Sequence, residues 1–282
     1  MDLGGDPPDQ AALAWQRAAR ARERADRASL LAERYESLSG RLADAAFRRL
    51  AEMHHGTASR HRDAAELLEA HARRAGQWSR GEGPPPFFMT GVAEACGTES
   101  VAVTLVDHER NQLVTASSDQ PAREAQDLEY ILGEGPVQDA VVARAPVAAS
   151  GGALSGRWPG YGPAVAALGI ARVVAVPLEA PGECIGALAV FDPHPATAST
   201  ALFSRIADAL TRSVLLGGDA GPGLLGGIDR RAVVHQAAGV VAVQLDCSIG
   251  DALELVKARA FADGRSIGDV AADIVDRQLD LG

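Results

Sequence analysis

IDRRAVVHQAAGVVAVQLDCSIGDALELVKARAFADGRSIGDVAADIVDRQLDLG, running from Ile228 to Gly282, decides how the rest of the chain is read. Val234, Ala237, Val241 and Leu245 recur at helical spacing. Ser248 with Asp251 predicts an N-cap followed by an acidic first turn. A second stripe then runs through Ala252, Leu255, Val256 and Ala262. Asp263-Gly264 predicts its end, with glycine where a left-handed residue closes a helix. Ser266 with Asp269 repeats the cap signal, and Ile267, Val270, Ile274 and Val275 form a third stripe. The stretch therefore predicts three short helices.

Working back toward the N-terminus, charge is distributed unevenly around a net of −10. Residues 11–80 carry +5, residues 81–227 carry −9, and residues 228–282 carry −3. A nucleic-acid binder ordinarily shows a basic footprint. Here any such face is local: Arg230 and Arg231 at one end, Lys257 and Arg259 on the second helix, Arg265 at the second joint. No apolar run reaches membrane-spanning length, and the acidic, proline-broken start MDLGGDPPDQ has no signal core. A cytoplasmic protein without a membrane partner is expected.

Residues 1–9 are expected to be disordered. Residues 10–80 are rich in helix formers, and Ala14, Ala18, Ala21, Ala25, Ala28, Ala32 and Tyr35 follow a heptad seam. A helical hairpin or a dimeric coiled coil follows, with breaks expected at Ser39-Gly40 and His55-Gly56. His54, His55, His61 and His71 in this arm read as polar helix positions. Residues 81–86, ending in three prolines, predict a linker.

Residues 87–217 predict a compact unit of mixed structure. Its expected elements are a short helix over Phe87–Cys96, a hairpin of Ser100–Asp107 with Gln112–Ser118, and helices over Arg123–Leu132 and Val137–Ala143. A brief strand over Pro146–Ala149, a glycine-rich loop and a helix over Pro163–Leu168 come next. Two longer strands, Ile170–Ala180 and Glu183–Asp192, and a closing helix over Ser199–Leu216 complete it. A glycine-rich linker over 218–227 leads to the final three helices. The fold class is α+β: a long helical arm, a central unit with an antiparallel sheet, and a C-terminal three-helix unit.

Two family resemblances attach to these units. The central unit resembles a GAF domain at Gly133-Glu134-Gly135-Pro136, Asp139-Ala140, Arg157-Trp158-Pro159, Val176-Pro177-Leu178 and Ile185-Gly186-Ala187-Leu188. Val137 stands where members that precede an ANTAR domain commonly have Cys. The C-terminal unit resembles that ANTAR domain, a three-helix RNA-binding module. The resemblance rests on Arg231, Gln236-Ala237, Gly239, Val241, Cys247-Ser248, Asp251-Ala252, Leu255, Ala260 and Ile267-Gly268-Asp269-Val270-Ala271. Ala238 and Ala242 replace the family's common Lys and Met.

The resemblances imply a signal-responsive antiterminator whose output helices bind RNA hairpin loops. Its expected RNA contacts are Arg230, Arg231, His235, Gln236, Gly239, Lys257, Arg259 and Arg265. Tyr130, Trp158, Val176 and Cys184 are the expected lining of a pocket for an unidentified small-molecule ligand, although Trp158 reads equally as a packing anchor against the sheet. A homodimer through the arm is expected, with no DNA partner. The small residues Ala237 and Gly239 have a second reading, as contacts that let the first helix pack on the third.

Catalysis finds little footing. GEGP lacks the Gly-Lys-Ser/Thr of a phosphate cradle, and no HExxH, GxSxG or CxxC occurs. Cys96, Cys184 and Cys247 lie far apart and read as buried thiols. His108 falls on a hairpin turn without a companion ligand. No metal or cofactor is expected. A protein-interaction regulator lacking RNA affinity is the alternative, motivated by the acidic balance and by Ala238 and Ala242. A catalytic or redox sensor rests only on isolated residues.

Overall fold

The computed structural model describes residues 7–42, 44–82, 87–195, 199–216, 230–277 and 279. Residues 1–6, most of the proline linker, the glycine linker at 218–227 and the side chain of Arg230 lie outside the described residues.

Helix α1 spans Pro7–Leu42 and α2 spans Ala45–Ser79. Proline suits a first helical turn, whose N–H groups have no intrahelical partner, so α1 begins earlier than the expected Gln10. The alanine seam is filled within the chain. Ala14, Ala18, Ala21, Ala25, Ala28 and Ala32 are buried, as are Ala51, Ala58, Ala64, Leu68, Ala72 and Ala75 of α2. Methyl-sized residues let the two backbones approach closely, although each buries little area. Asp44 turns the chain by accepting the N–H of Ala46 at 2.7 Å. Tyr35 stacks on His54 at 5.3 Å near that turn. The arm is thus an intrachain hairpin, and a dimer through the arm would have to use other faces. The expected break at His55-Gly56 does not occur: α2 runs through it. A single glycine costs a helix about 1 kcal/mol, which the hairpin packing outweighs.

The central unit contains α3 (Phe88–Ala95), β1 (Ser100–Val106), β2 (Gln112–Ser117), α4 (Gln120–Leu132) and α5 (Pro136–Ala143). It continues with β3 (Val147–Ser150), α6 (Gly152–Arg157), α7 (Tyr161–Ala167), β4 (Arg172–Ala180), β5 (Glu183–Phe191) and α8 (Thr200–Ala209). The five strands form one antiparallel sheet in the order β2-β1-β5-β4-β3. Side chains alternate between its faces. Val101, Val103, Val176, Leu178, Leu188 and Val190 meet α3, α8 and the hairpin. Ala102, Val173, Ala175, Ala187, Ala189 and Phe191 meet α4, α5 and α7. Gly186 is required at the β1–β5 contact, because a Cβ there would stand 2.0 Å from the Thr104 carbonyl oxygen. The glycine-rich loop expected after β3 contains the short helix α6. The closing helix changes to a π-helical turn over Leu210–Leu215. Arg205 of α8 pairs with Asp63 of α2 at 2.5 Å, and Arg74 of α2 pairs with Glu94 of α3.

The last three helices are α9 (Arg230–Leu245), α10 (Ile249–Asp263) and α11 (Ile267–Val275). Both serine caps form: Ser248 accepts the N–H of Asp251, and Ser266 that of Asp269, each at 3.1 Å. Gly264 closes α10 in the left-handed region at φ +59°. Val234, Ala237, Ala238, Val241, Val256, Ile267, Val270 and Ile274 make the core. The buried stripe of α10 is Ala252, Val256 and Ala260, whereas Leu255 and Ala262 face outward. Ala238, where the resembled family commonly has Lys, is fully buried. The unit rests on α4 and β2 of the central unit.

Enlarging the hairpin seam is expected to destabilise the arm. Ala21→Leu should cost about 1–3 kcal/mol through overpacking, read from urea unfolding; an unchanged midpoint would argue against the tight intrachain seam.

Candidate functional site

Helix α4 belongs to two cores. It starts at Gln120 rather than near Arg123, because Asp119 accepts the N–H of Ala122 at 3.0 Å and Pro121 tolerates the first turn. Gly133, at φ +67°, ends it. Ala122, Ala125, Gln126 and Glu129 face the interior of the central unit. Asp127, Tyr130 and Ile131 face the three-helix unit.

The inner face carries a polar cluster within an apolar core. Glu129 is fully buried. Its Oε1 accepts the N–H of Gln138 at 2.7 Å, and Gln138 Nε2 donates to the Glu129 carbonyl at 3.1 Å. Thr104 donates to Gln126 Oε1 at 2.5 Å. Glu129 Oε2, Gln126 Nε2 and the Tyr161 hydroxyl have no hydrogen-bond partner. Burial pushes the Glu129 carboxyl up to about 8, against a smaller downward pull from the N–H groups of Gln138 and Val137. The loop that follows is shaped around this group. A Cβ on Gly135 would lie 2.5 Å from Glu129 Cδ.

GEGP is structural, as its lack of a phosphate-cradle pattern indicated. Glu134 accepts the N–H groups of Gly160 at 2.6 Å and Tyr161 at 2.9 Å, tying the loop to the start of α7. Asp139 accepts from Arg157 Nε at 2.9 Å and from Trp158 Nε1 at 3.2 Å. Trp158 also meets Tyr161 edge-on, with ring centroids 6.0 Å apart. It is a packing anchor.

The outer face of α4 holds Arg231 of α9. The guanidinium lies 3.9 Å from the centroid of the Tyr130 ring. It pairs with Asp127 at 3.3 Å and donates to Gln112 Oε1 at 3.3 Å. Arg231 is only 3% exposed. Burial lowers its pKa, and Asp127 and Tyr130 oppose that shift. Lys257 Nζ stands 4.8 Å from the same ring and 2.9 Å from Glu254.

These positions revise the expected RNA face. Arg231 is buried between the two units, so it is not a free phosphate contact in this arrangement. Lys257 is largely covered and paired. Arg259 pairs with Asp263 at 2.7 Å and Arg265 with Asp273 at 2.6 Å, so both exposed cations are offset by acids. Gln236 and Gly239 line an outer groove between α9 and α11 with Val240, Val243 and Arg277. His235 faces a different cavity, at the junction with the central unit. A Cβ on Gly239 would meet nothing within 4 Å, so packing does not require this glycine. Ala237, by contrast, is fully buried and serves the core.

The expected ligand pocket also separates. Trp158 packs on one face of the sheet and Val176 on the other, while Tyr130 lies at the junction of the units. Cys184 is half-buried beside the core that contains Trp158. Burial raises its thiol, and Cys96 is pushed to about 12 by the same cause, so neither is primed as a thiolate. Among the described residues no group of three His, Cys, Asp or Glu could hold a metal ion.

Several residues of the junction and its buried cluster escaped the sequence analysis, among them Gln112, Gln126, Asp127 and Glu129. Glu129 had a signal, since it shares three- and four-residue spacing with Ala122, Ala125 and Gln126. Gln112 and Asp127 gained meaning only from partners far along the chain.

The GAF domain family model matches residues 88–214. No curated protein matches the chain. Residues 88–214 are therefore a GAF domain, which points to signal sensing and regulation.

A carboxyl with a folded pKa near 8 and an ordinary value of 4.5 takes up a proton on folding between those two pH values. Its contribution to stability is therefore greatest below pH 4.5, declines as pH rises toward 8, and is level above 8. Glu129→Gln should remove that decline. Urea unfolding at several pH values should show the variant gaining on wild type by more than about 1.4 kcal/mol across the window; parallel pH profiles would contradict the assignment.

Proposed function

We propose that this protein is a non-catalytic, signal-responsive RNA-binding regulator of transcription antitermination. In it the GAF domain governs the exposure of a three-helix ANTAR-like output unit. The observation that carries the RNA half is Gly239. A glycine inside a helix costs about 1 kcal/mol relative to alanine, and nothing packs against this one. Its open backbone, flanked by Gln236, Gln244 and Arg277, lines a groove on the outer side of the unit. Close approach to backbone with hydrogen-bonding side chains alongside suits the splayed bases of an RNA loop. The docking of Arg231 supports the regulatory half. Two of the basic residues expected to meet RNA, Arg231 and Lys257, are engaged by the GAF domain's Tyr130.

A second reading, a protein-interaction regulator without RNA affinity, has its own observation. Val243 is 84% exposed in the same groove, and Arg259 and Arg265 are both neutralised by acids. Apolar exposure of this kind also suits a protein partner.

Titrating the full chain with RNA carrying tandem hairpin loops, at two salt concentrations, separates the readings. Saturable, salt-dependent binding is expected. Gly239→Ala should raise helix stability by about 0.5–1 kcal/mol while weakening RNA binding. Arg231→Met keeps an apolar stem but abolishes the pair with Asp127. It should free the three-helix unit and tighten RNA binding; a weakened affinity would instead make Arg231 a direct contact. If neither wild type nor Arg231→Met binds RNA saturably, the protein-interaction reading stands.

A further inference from the structure

The junction between the GAF domain and the three-helix unit forms a solvent-open cavity of about 360 Å³. That volume is within the range of small-molecule sites. Both units build it. The GAF domain contributes Arg110, Gln112, Tyr130 and Val137, and the three-helix unit contributes His235 and Lys257. We propose that this cavity binds a small organic anion with an apolar body, of the aromatic carboxylate class, and that the ligand holds the two units together.

Two unsatisfied donors support the site. Gln112 is 94% buried, from an exposure of 6%, and its Nε2 has no hydrogen-bond partner although its Oε1 accepts from Arg231. The hydroxyl of Tyr130, also buried, is likewise unpartnered. A buried donor without an acceptor is costly, and both belong to residues of the cavity wall, where a small side-chain rotation would bring them to an acceptor supplied by a ligand. Charge points the same way. Arg110 projects from a hairpin turn held by Asp107, whose Oδ1 accepts from the N–H groups of Glu109 at 2.9 Å and Asn111 at 2.8 Å. Lys257 is set against Glu254, and Asp127 against Arg231, which leaves the cation of Arg110 and the imidazole of His235 for a ligand. Apart from Asn111 and Gln138, the remaining wall is apolar, with Val106, Val141 and Leu253 facing the same space. A bare inorganic anion would leave that wall wet, and a neutral apolar molecule would leave the donors unmet.

A ligand gripped by both units binds the docked arrangement alone, so by linkage it stabilises docking. The proposal deepens the sensing half of the reading above and is independent of RNA binding, so the two titrations fail separately.

The test is isothermal titration of the full chain with benzoate and phenylacetate, beside benzamide as the neutral isostere and inorganic phosphate as the bare anion. Saturable binding of at least one carboxylate is expected, with benzamide and phosphate binding more weakly by about tenfold or more. The surface variant Arg110→Ala/His235→Ala should lose about tenfold in carboxylate affinity without a change in unfolding midpoint. Arg231→Met, which loosens docking, should also weaken it. Absence of saturable carboxylate binding, equal binding of benzamide, tighter binding of phosphate, or undiminished affinity in the double variant each overturns the proposal.

Discussion

A guanidinium taken out of water sits at the centre of this molecule. Desolvating Arg231 costs several kcal/mol, and three groups of the GAF domain offset it: the Asp127 carboxylate, the Gln112 amide oxygen and the face of the Tyr130 ring. Because the partners come from two elements, α4 and β2, they fix the angle at which α9 meets the domain as well as its position. Buried ion pairs contribute little net stability yet are costly to leave half-formed. An interface organised around one is therefore close to balanced when intact and poor when partly open. That is the energetic profile of a two-state contact.

Helix α4 places this contact beside a second unusual group. Glu129 and Tyr130 are neighbours in sequence, one turned into the GAF core and the other toward Arg231. The inner cluster around Glu129 leaves several polar atoms without partners, so it holds the helix less firmly than an apolar core of the same size. Any change in protonation or hydration that pulls Glu129 toward or away from Gln138 acts on the same rigid element that carries Asp127 and Tyr130. A single short helix thus exposes the docking contact to the internal state of the sensor.

Much of the architecture was legible in the sequence because it is local. The caps at Ser248 and Ser266, the closing glycine at Gly264 and the alanine seam of α1 each follow from residues a few positions apart. The strands were legible from their alternation, which the two faces of the sheet reproduce. What escaped was set by distant partners. The alanine seam did not say whether its complement lay in the same chain, and α2 supplied it. Arg231 looked like an RNA contact because a basic residue at a helix start has two possible fates, solvent or a buried partner. Only the approach of Gln112, 119 positions away along the chain, decides between them. Trp158 and Val176 looked like neighbours in a pocket, but the sheet lies between them. Gly239 was ambiguous for the opposite reason, since it required knowing that nothing packs there.

The hairpin of α1 and α2 has a mechanical consequence. Its ties to the GAF domain, such as Asp63 to Arg205 and Arg74 to Glu94, fall on the half of α2 nearer the domain. Eighteen residues of α2, 45–62, lie beyond them with the facing end of α1, a length of about 27 Å at 1.5 Å per residue. The closely matched methyl seam makes the pair bend as one beam rather than two. A beam pinned near one end magnifies rotation at its root: a tilt of about 5° where α8 meets α2 moves the far turn by roughly 2.4 Å over such a length. A change in the sensor too small to alter its own outline would thus be read out as displacement at the tip of the arm.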